Sequence, residues 1–189
     1  TGTEGMKTSL VSRELIADSV ELVARGHLLD GLVVIAGCDK TIPAMAMALG
    51  RLNLPGLLLY SGSIAAGHCT RPNPLFGERQ LTIQELYEAI GAFNAGRITA
   101  EELQDVEDHA CPGAGACGGQ FTANTMATAC EMLGLAPMGL NSIPALDASK
   151  SAAARECGRL VMQLLARGVT PRQVVTHRSF QNAIAGVMA

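Results

Sequence analysis

Tryptophan is absent from the 189 residues, and only two Tyr and four Phe occur. A core so poor in aromatics has to be assembled from Leu, Val, Ile, Ala and Met. Charge is scarce as well: Asp, Glu, Lys and Arg make up 16% of the chain, which carries a formal net charge of −3. With no run of Lys or Arg, there is no electrostatic footprint for a nucleic-acid partner. No apolar run approaches the ~18–20 residues of a membrane-spanning helix. Lys7, Arg13 and Glu14 interrupt any apolar stretch near Thr1, so no signal peptide is read there. The six cysteines show neither the paired C-x₂-C spacing of structural zinc nor the density of a disulfide framework. Dispersed thiols suit a reducing compartment, and a cytoplasmic location is expected.

What is abundant is small and apolar. Hydrophobic residues reach 48%, and 21 glycines mark many turns and close backbone approaches. The length suits one well-buried domain. The opening Thr-Gly-Thr-Glu-Gly and an apolar helical pattern running to Ala189 (Phe180, Ile184, Val187, Met188) read as part of a longer polypeptide.

Leu32-Val33-Val34-Ile35-Ala36 is a short apolar run ending at Gly37, the pattern of a strand buried on both faces. A second such run is Gly56-Leu57-Leu58-Leu59-Tyr60. Between them lies a small-residue helix, with Thr41 as N-cap and Pro43 in its first turn, ended by Pro55. Strand, helix and strand within about thirty residues make a βαβ unit with parallel strands. Ahead of it, Ser9 or Ser12 caps a helix to about Arg25 with Leu15, Ile16, Val20 and Val23 on one face. After it come a long loop over 61–80 and helices over 82–94 and 99–108, the latter with Thr99 and Glu102 as a capping box. Further helices follow over 121–133, 149–167 and from about Ser179, with a short apolar segment at 173–175. The fold class is α/β, a three-layer α/β/α arrangement with a mainly parallel central sheet.

Two stretches carry chemistry. Cys38-Asp39-Lys40 follows the first strand at its carboxyl end, where open α/β sheets bind ligands. The plain reading is a lysine–aspartate ion pair. The alternative is a lysine whose pKa is lowered by desolvation, free to take up carbon dioxide as a carbamate and, with Asp39, to hold magnesium. The second stretch is Cys111-Pro112-Gly113-Ala114-Gly115-Ala116-Cys117-Gly118-Gly119, opening a helix whose N-terminus favours a thiolate or a bound anion. Against this stands a helix-entry loop whose cysteines only pack. Cys130 and Cys157 fall on helical patterns as buried small hydrophobes, and Cys69, beside His68, lacks metal-ligand spacing. His27, His109 and His177 are read as structural or surface residues, and Met45, Met47 and Met126 as core filling.

These two motifs, the first running Gly37-Cys38-Asp39-Lys40-Thr41-Ile42-Pro43, with Arg51-Leu52-Asn53-Leu54-Pro55, Phe121-Thr122-Ala123-Asn124-Thr125-Met126, Leu133-Gly134-Leu135, Glu4-Gly5-Met6 and Ser12-Arg13-Glu14, resemble the dihydroxy-acid dehydratase family, which includes phosphogluconate and sugar-acid dehydratases. The resemblance covers nearly the whole chain and implies that residues 1–189 are part of an N-terminal, cluster- and magnesium-binding domain. It implies a hydro-lyase that converts 2,3-dihydroxy acids such as 2,3-dihydroxyisovalerate to 2-keto acids in branched-chain amino-acid biosynthesis. By position, Cys38 and Cys117 match ligands of an iron–sulfur cluster, expected as 2Fe-2S rather than 4Fe-4S. Asp39 and Lys40 match Mg²⁺ ligands, Lys40 as its carbamate, and Cys111 is not assigned as a ligand. In the implied mechanism magnesium holds the substrate, a cluster iron draws off the 3-hydroxyl, and a base removes the C2 proton. The remaining cluster cysteine and a magnesium aspartate are expected before Thr1. The last magnesium carboxylate and the serine base are expected after Ala189, so these residues alone are expected to be catalytically incomplete. The full-length protein is expected to be a homodimer or dimer of dimers, with no nucleic-acid or membrane partner. The alternatives are a sugar-acid dehydratase of the same family, or a non-catalytic anion-binding α/β domain.

Overall fold

In the computed structural model, which describes residues 3–189, β1 (Leu32–Ala36) and β2 (Gly56–Tyr60) pair in parallel, Ala36 opposite Tyr60. The helix α2 (Thr41–Leu52) connects them, the βαβ unit expected from the apolar runs. Asn53 ends α2 in the left-handed conformation (φ 52°), and Pro55 prevents its resumption. The other elements are a 3-10 turn at Glu4–Thr8, α1 (Ser12–Gly26), α3 (Ile83–Asn94), α4 (Ala100–His109), α5 (Thr122–Met132), α6 (Lys150–Arg167), α7 (Pro171–Val174) and α8 (His177–Met188). No helix is long and apolar enough to cross a membrane among the described residues.

Side chains alternate across the sheet and so divide the core. Leu32, Val34, Ala36, Leu58 and Tyr60 pack with Ile42 and Leu49 of α2 and with Ala123, Ala127 and Cys130 of α5. Leu57 and Leu59, of the opposite parity, are buried apart from that cluster, and α6 lies against both strands. Helices therefore flank the sheet, as the α/β reading requires. Its central layer, however, has two strands among the described residues. The outer edge of β2 is closed by the chain after α5. The Leu58 N–H donates to Leu135 O at 2.7 Å and the Tyr60 N–H to the buried Asn141 Oδ1 at 2.8 Å. β1 departs from the expectation of burial on both faces: Ile35 is 59% exposed, so the face that carries Val33 and Ile35 is only partly covered.

The α1 reading needs two corrections. Neither Ser9 nor Ser12 caps the helix; Val11 occupies the N-cap without a side-chain bond, and the Ser12 hydroxyl donates to Ser9 O. The fully buried residues are Ala17 and Ala24; of the expected face, Val20 packs on the core and Ile16 is half-buried, while Leu15 and Val23 are exposed. α1 packs on α2, which itself buries Ala44 and Ala48, so the close helix–helix contact is made with small side chains. Thr41 is likewise the first helical residue of α2, with Lys40 at the N-cap. α8 starts two residues before Ser179, which reciprocates Thr176 in a capping box, and most of the short apolar segment falls in a single helical turn over 171–174.

A second core gathers Phe76, Leu81, Ala89, Ala92, Ile98, Val106 and Ala110 around α3 and α4. Both helices begin with capping boxes, Thr82–Glu85 and the expected Thr99–Glu102. On the exposed side of α6, nothing lies within 4 Å of where a Cβ on Gly158 would sit. Gly158→Ala is expected to stabilise the chain by about 0.5–1 kcal/mol, through the entropy that glycine loses in a helix. Urea denaturation with an unchanged slope checks it.

Candidate active site

The carboxyl ends of β1 and β2 face the N-terminus of α5, and the two sequence motifs meet there. Gly37 makes the meeting possible: a Cβ on it would lie 2.1 Å from Ser61 Oγ and 3.5 Å from Ala116 Cβ. The chain leaving β1 thus runs directly against the chain leaving β2 and the cysteine loop. That loop is stitched in place by a parallel bridge between Ser63 and Ala116, in which the Ala116 N–H donates to Gly62 O at 2.8 Å and the Ile64 N–H to Ala116 O at 2.7 Å. Asn124, from the first turns of α5, donates its amide to Cys117 O at 3.0 Å and to Gly119 O. The result is a pocket of about 230 Å³ lined by Gly37, Cys38, Asp39, Cys117, Phe121, Thr122 and Ala123.

Cys38 and Cys117, remote in sequence, share this pocket, each half-buried. The Cys38 thiol donates to Asp39 Oδ1 at 3.1 Å, while Lys40 Nζ lies 3.1 Å from Cys38 Sγ and 3.4 Å from Asp39 Oδ1. The bond from Cys38 holds the Asp39 carboxyl below its ordinary value against the effect of burial, with Lys40 and Arg13 adding to it. Lys40 runs against the sequence argument. Its ammonium is held above the ordinary lysine value, first by its contact with Cys38, which outweighs desolvation, and then by Asp39. A side chain about one-third exposed (35%) is not dry enough to be neutralised, so the plain ion-pair reading describes the chain as it stands.

Three supporting residues were not anticipated. Arg13 donates to Asp39 O at 2.8 Å and so ties α1 to the site. Thr41 accepts the Cys38 N–H at 3.0 Å, serving the turn rather than the helix cap. Tyr60, 1% exposed, lies behind the pocket in the core with Ala36, Ala116 and Ala123, and its hydroxyl is buried with no hydrogen-bond partner. Burial pushes its pKa up to about 12, and Cys117 and Cys38 add to the shift. Arg13 and Thr41 each had a signal in sequence, a place in a motif, though Thr41 was expected as a helix cap; Tyr60 had none.

The other candidates fall outside. Cys111 is exposed and does not line the pocket. Cys130 and Cys157 are buried, as their helical spacing predicts, the former pushed up to about 12 by burial. Cys69 packs on the second core, and burial followed by the Asp105 carboxylate pushes its thiol up. His27 and His177 are exposed, and His109 binds the carbonyl of Asp105 through Nδ1 at 2.7 Å. Among the described residues, no three His, Cys, Asp or Glu side chains gather closely enough to hold a metal ion. The two thiols and the carboxylate nevertheless supply the soft and hard donors that an iron–sulfur group and magnesium would each need, as part of a larger ligand set.

Asp105 is a purely structural anchor for the loop over 61–80. It is 7% exposed and accepts the N–H groups of Thr70 (2.9 Å) and Arg71 (3.3 Å) together with the Thr70 hydroxyl. Burial alone would raise its pKa, but these bonds, with His109 nearby, hold it below the ordinary value. A depressed folded pKa contributes stability above the unfolded value, lost as pH falls through the folded one. Asp105→Asn is therefore expected to cost about 2 kcal/mol at neutral pH and progressively less below about pH 4. Denaturation midpoints measured from pH 7 to pH 3 give both results.

The full chain matches the family model described as the N-terminal part of dihydroxy-acid/6-phosphogluconate dehydratases, over residues 1–189. The chain belongs to this dehydratase family. It is similar to proteins named dihydroxy-acid dehydratase from Koribacter versatilis (55% identity, 100% of this chain and 32% of the relative) and Roseiflexus sp. strain RS-1 (54%, 98% and 32%). A protein of the same name from Thermus thermophilus is 51% identical over 100% of this chain and 33% of its own length. The chain spans about a third of the length of the curated relatives it matches. Within the dehydratase family the site motifs are thus carried by the N-terminal part, and the pocket at the strand ends is built from it.

Proposed function

We propose that the full-length polypeptide dehydrates 2,3-dihydroxy acids such as 2,3-dihydroxyisovalerate to 2-keto acids, a step of branched-chain amino-acid biosynthesis. In this reading Cys38 and Cys117 hold an iron–sulfur cluster, while Asp39 and Lys40 face Mg²⁺. The observation that carries it is the shared pocket: two thiols from distant motifs converge beside Asp39 at the carboxyl ends of the strands. When bound, the cluster and magnesium would supply Lewis acidity for the departing hydroxyl and charge neutralisation for the substrate carboxylate.

The chain's own residues prepare for that chemistry. Asp39 stays ionised at neutral pH and so offers a hard oxygen donor. Arg13 and Thr41 fix the backbone on either side of it, and Asn124 fixes Cys117. For Lys40 to act as a carbamate its nitrogen must first release a proton and its contacts with Cys38 and Asp39; the free amine then forms a C–N bond to carbon dioxide and loses a second proton. Carbon dioxide therefore competes with the ion pair.

The test is the full-length polypeptide purified without oxygen, analysed for iron and sulfide and offered 2,3-dihydroxyisovalerate or aldonic acids. Iron and sulfide in equal amounts, with 2-keto acid formed faster from dihydroxyisovalerate, are expected. Faster turnover of aldonic acids would transfer the chain to the sugar-acid reading. An iron-free protein would leave a non-catalytic anion-binding domain.

A further inference from the structure

Tyr60 presents an uncompensated cost. Its hydroxyl is buried without a partner, which leaves a desolvated donor that lowers stability. Persistent orphans of this kind call for an acceptor that arrives later. The position of the residue narrows the choice. Tyr60 ends β2 opposite Ala36, two residues before Cys38, and it packs with Ala116, which precedes Cys117, and with Ala123, which lines the cysteine pocket. A polar pocket of about 350 Å³, lined by Asn124, Glu131 and Asn141 among others, also borders Tyr60. The hydroxyl itself has almost no solvent-accessible surface, so that side does not supply its partner. Through Ala116 and Ala123, the core around its ring leads to the pocket that holds Cys38 and Cys117.

We propose that the Tyr60 hydroxyl donates a hydrogen bond to a sulfur of the group held by Cys38 and Cys117, an inference that rests on the cluster reading above. Tyr60 is then a positioning residue that stabilises added negative charge on the cluster without touching substrate. Burial first, and then the two thiols, oppose ionisation of the hydroxyl, which like any tyrosine is a donor at neutral pH. Hydrogen bonds to sulfur raise the potential of an iron–sulfur group by favouring its reduced form.

The experiment compares the wild-type full-length polypeptide, Tyr60→Phe and Tyr60→3-fluorotyrosine, all loaded anaerobically. Iron content is expected to be equal in all three. The midpoint potential should move negative with Phe, which has no donor, and positive with 3-fluorotyrosine, a stronger one. Tyr87→Phe, at an exposed position, should leave it unmoved. Thermal unfolding gives a second readout: Tyr60→Phe should raise the midpoint of the metal-free protein and lower that of the loaded one. If the Phe variant does not load, the 3-fluorotyrosine potential and the metal-free midpoint decide. Equal potentials in wild-type and 3-fluorotyrosine proteins overturn the proposal. A wild-type protein without iron overturns the cluster reading itself, and the iron assay tells the two failures apart.

Discussion

Cys117→Ser is expected to strip the full-length polypeptide of iron and sulfide, whereas Cys111→Ser leaves both close to the wild-type level. The two thiols belong to one loop and would be hard to rank by spacing alone. Their settings differ. Cys117 is half-buried in the pocket with Cys38, and its carbonyl is held by Asn124 just before α5. Cys111 lies exposed outside that pocket. A serine hydroxyl in place of Cys117 is a hard, weakly acidic donor and a poor substitute for thiolate on iron. Iron and sulfide assays on anaerobically purified variants, with the visible absorption spectrum, give the answer. Equal loss in both variants would remove the basis for choosing between them.

The second large effect is on the scaffold. Gly115→Ala is expected to destabilise the chain by about 3 kcal/mol or more, since backbone strain and steric overlap act together. Gly115 has φ +145°, and a Cβ there would lie 2.5 Å from both the N and Cα of Ile64. Backbone cannot swing aside as a side chain can, so the parallel bridge between Ser63 and Ala116 would have to open. Opening it frees the segment that carries Cys117. Chemical denaturation of Gly115→Ala beside Gly158→Ala should show two glycine-to-alanine changes of opposite sign. A Gly115→Ala chain as stable as wild type would mean that the cysteine loop does not depend on this close approach.

Local signals in the sequence carried far. The run from Leu32 to Tyr60 contains its own strand periodicity, helix stop and turn residues, and the βαβ unit followed directly. Thr99 and Glu102 specify their helix start within four residues. What escaped depends on partners far along the chain. The inward face of α1 is set by how closely α2 approaches, which favours Ala17 and Ala24 over the bulkier Leu15 and Val23. The charge state of Lys40 is set by a thiol two residues away and by partial exposure, neither of which a strand pattern encodes. Tyr60 read as one more apolar strand residue, and only the packing of three segments isolates its hydroxyl. The convergence of Cys38 and Cys117 was legible through resemblance, not through spacing.

The uncovered side of β1 has a practical consequence for handling the chain. Ile35 projects into solvent from a strand that has no backbone partner on its outer side among the described residues. Such a border is a template for strand addition by any neighbouring molecule. Preparations of these 189 residues in isolation will tend to self-associate as concentration rises, and dilute, cool conditions favour their recovery as single molecules.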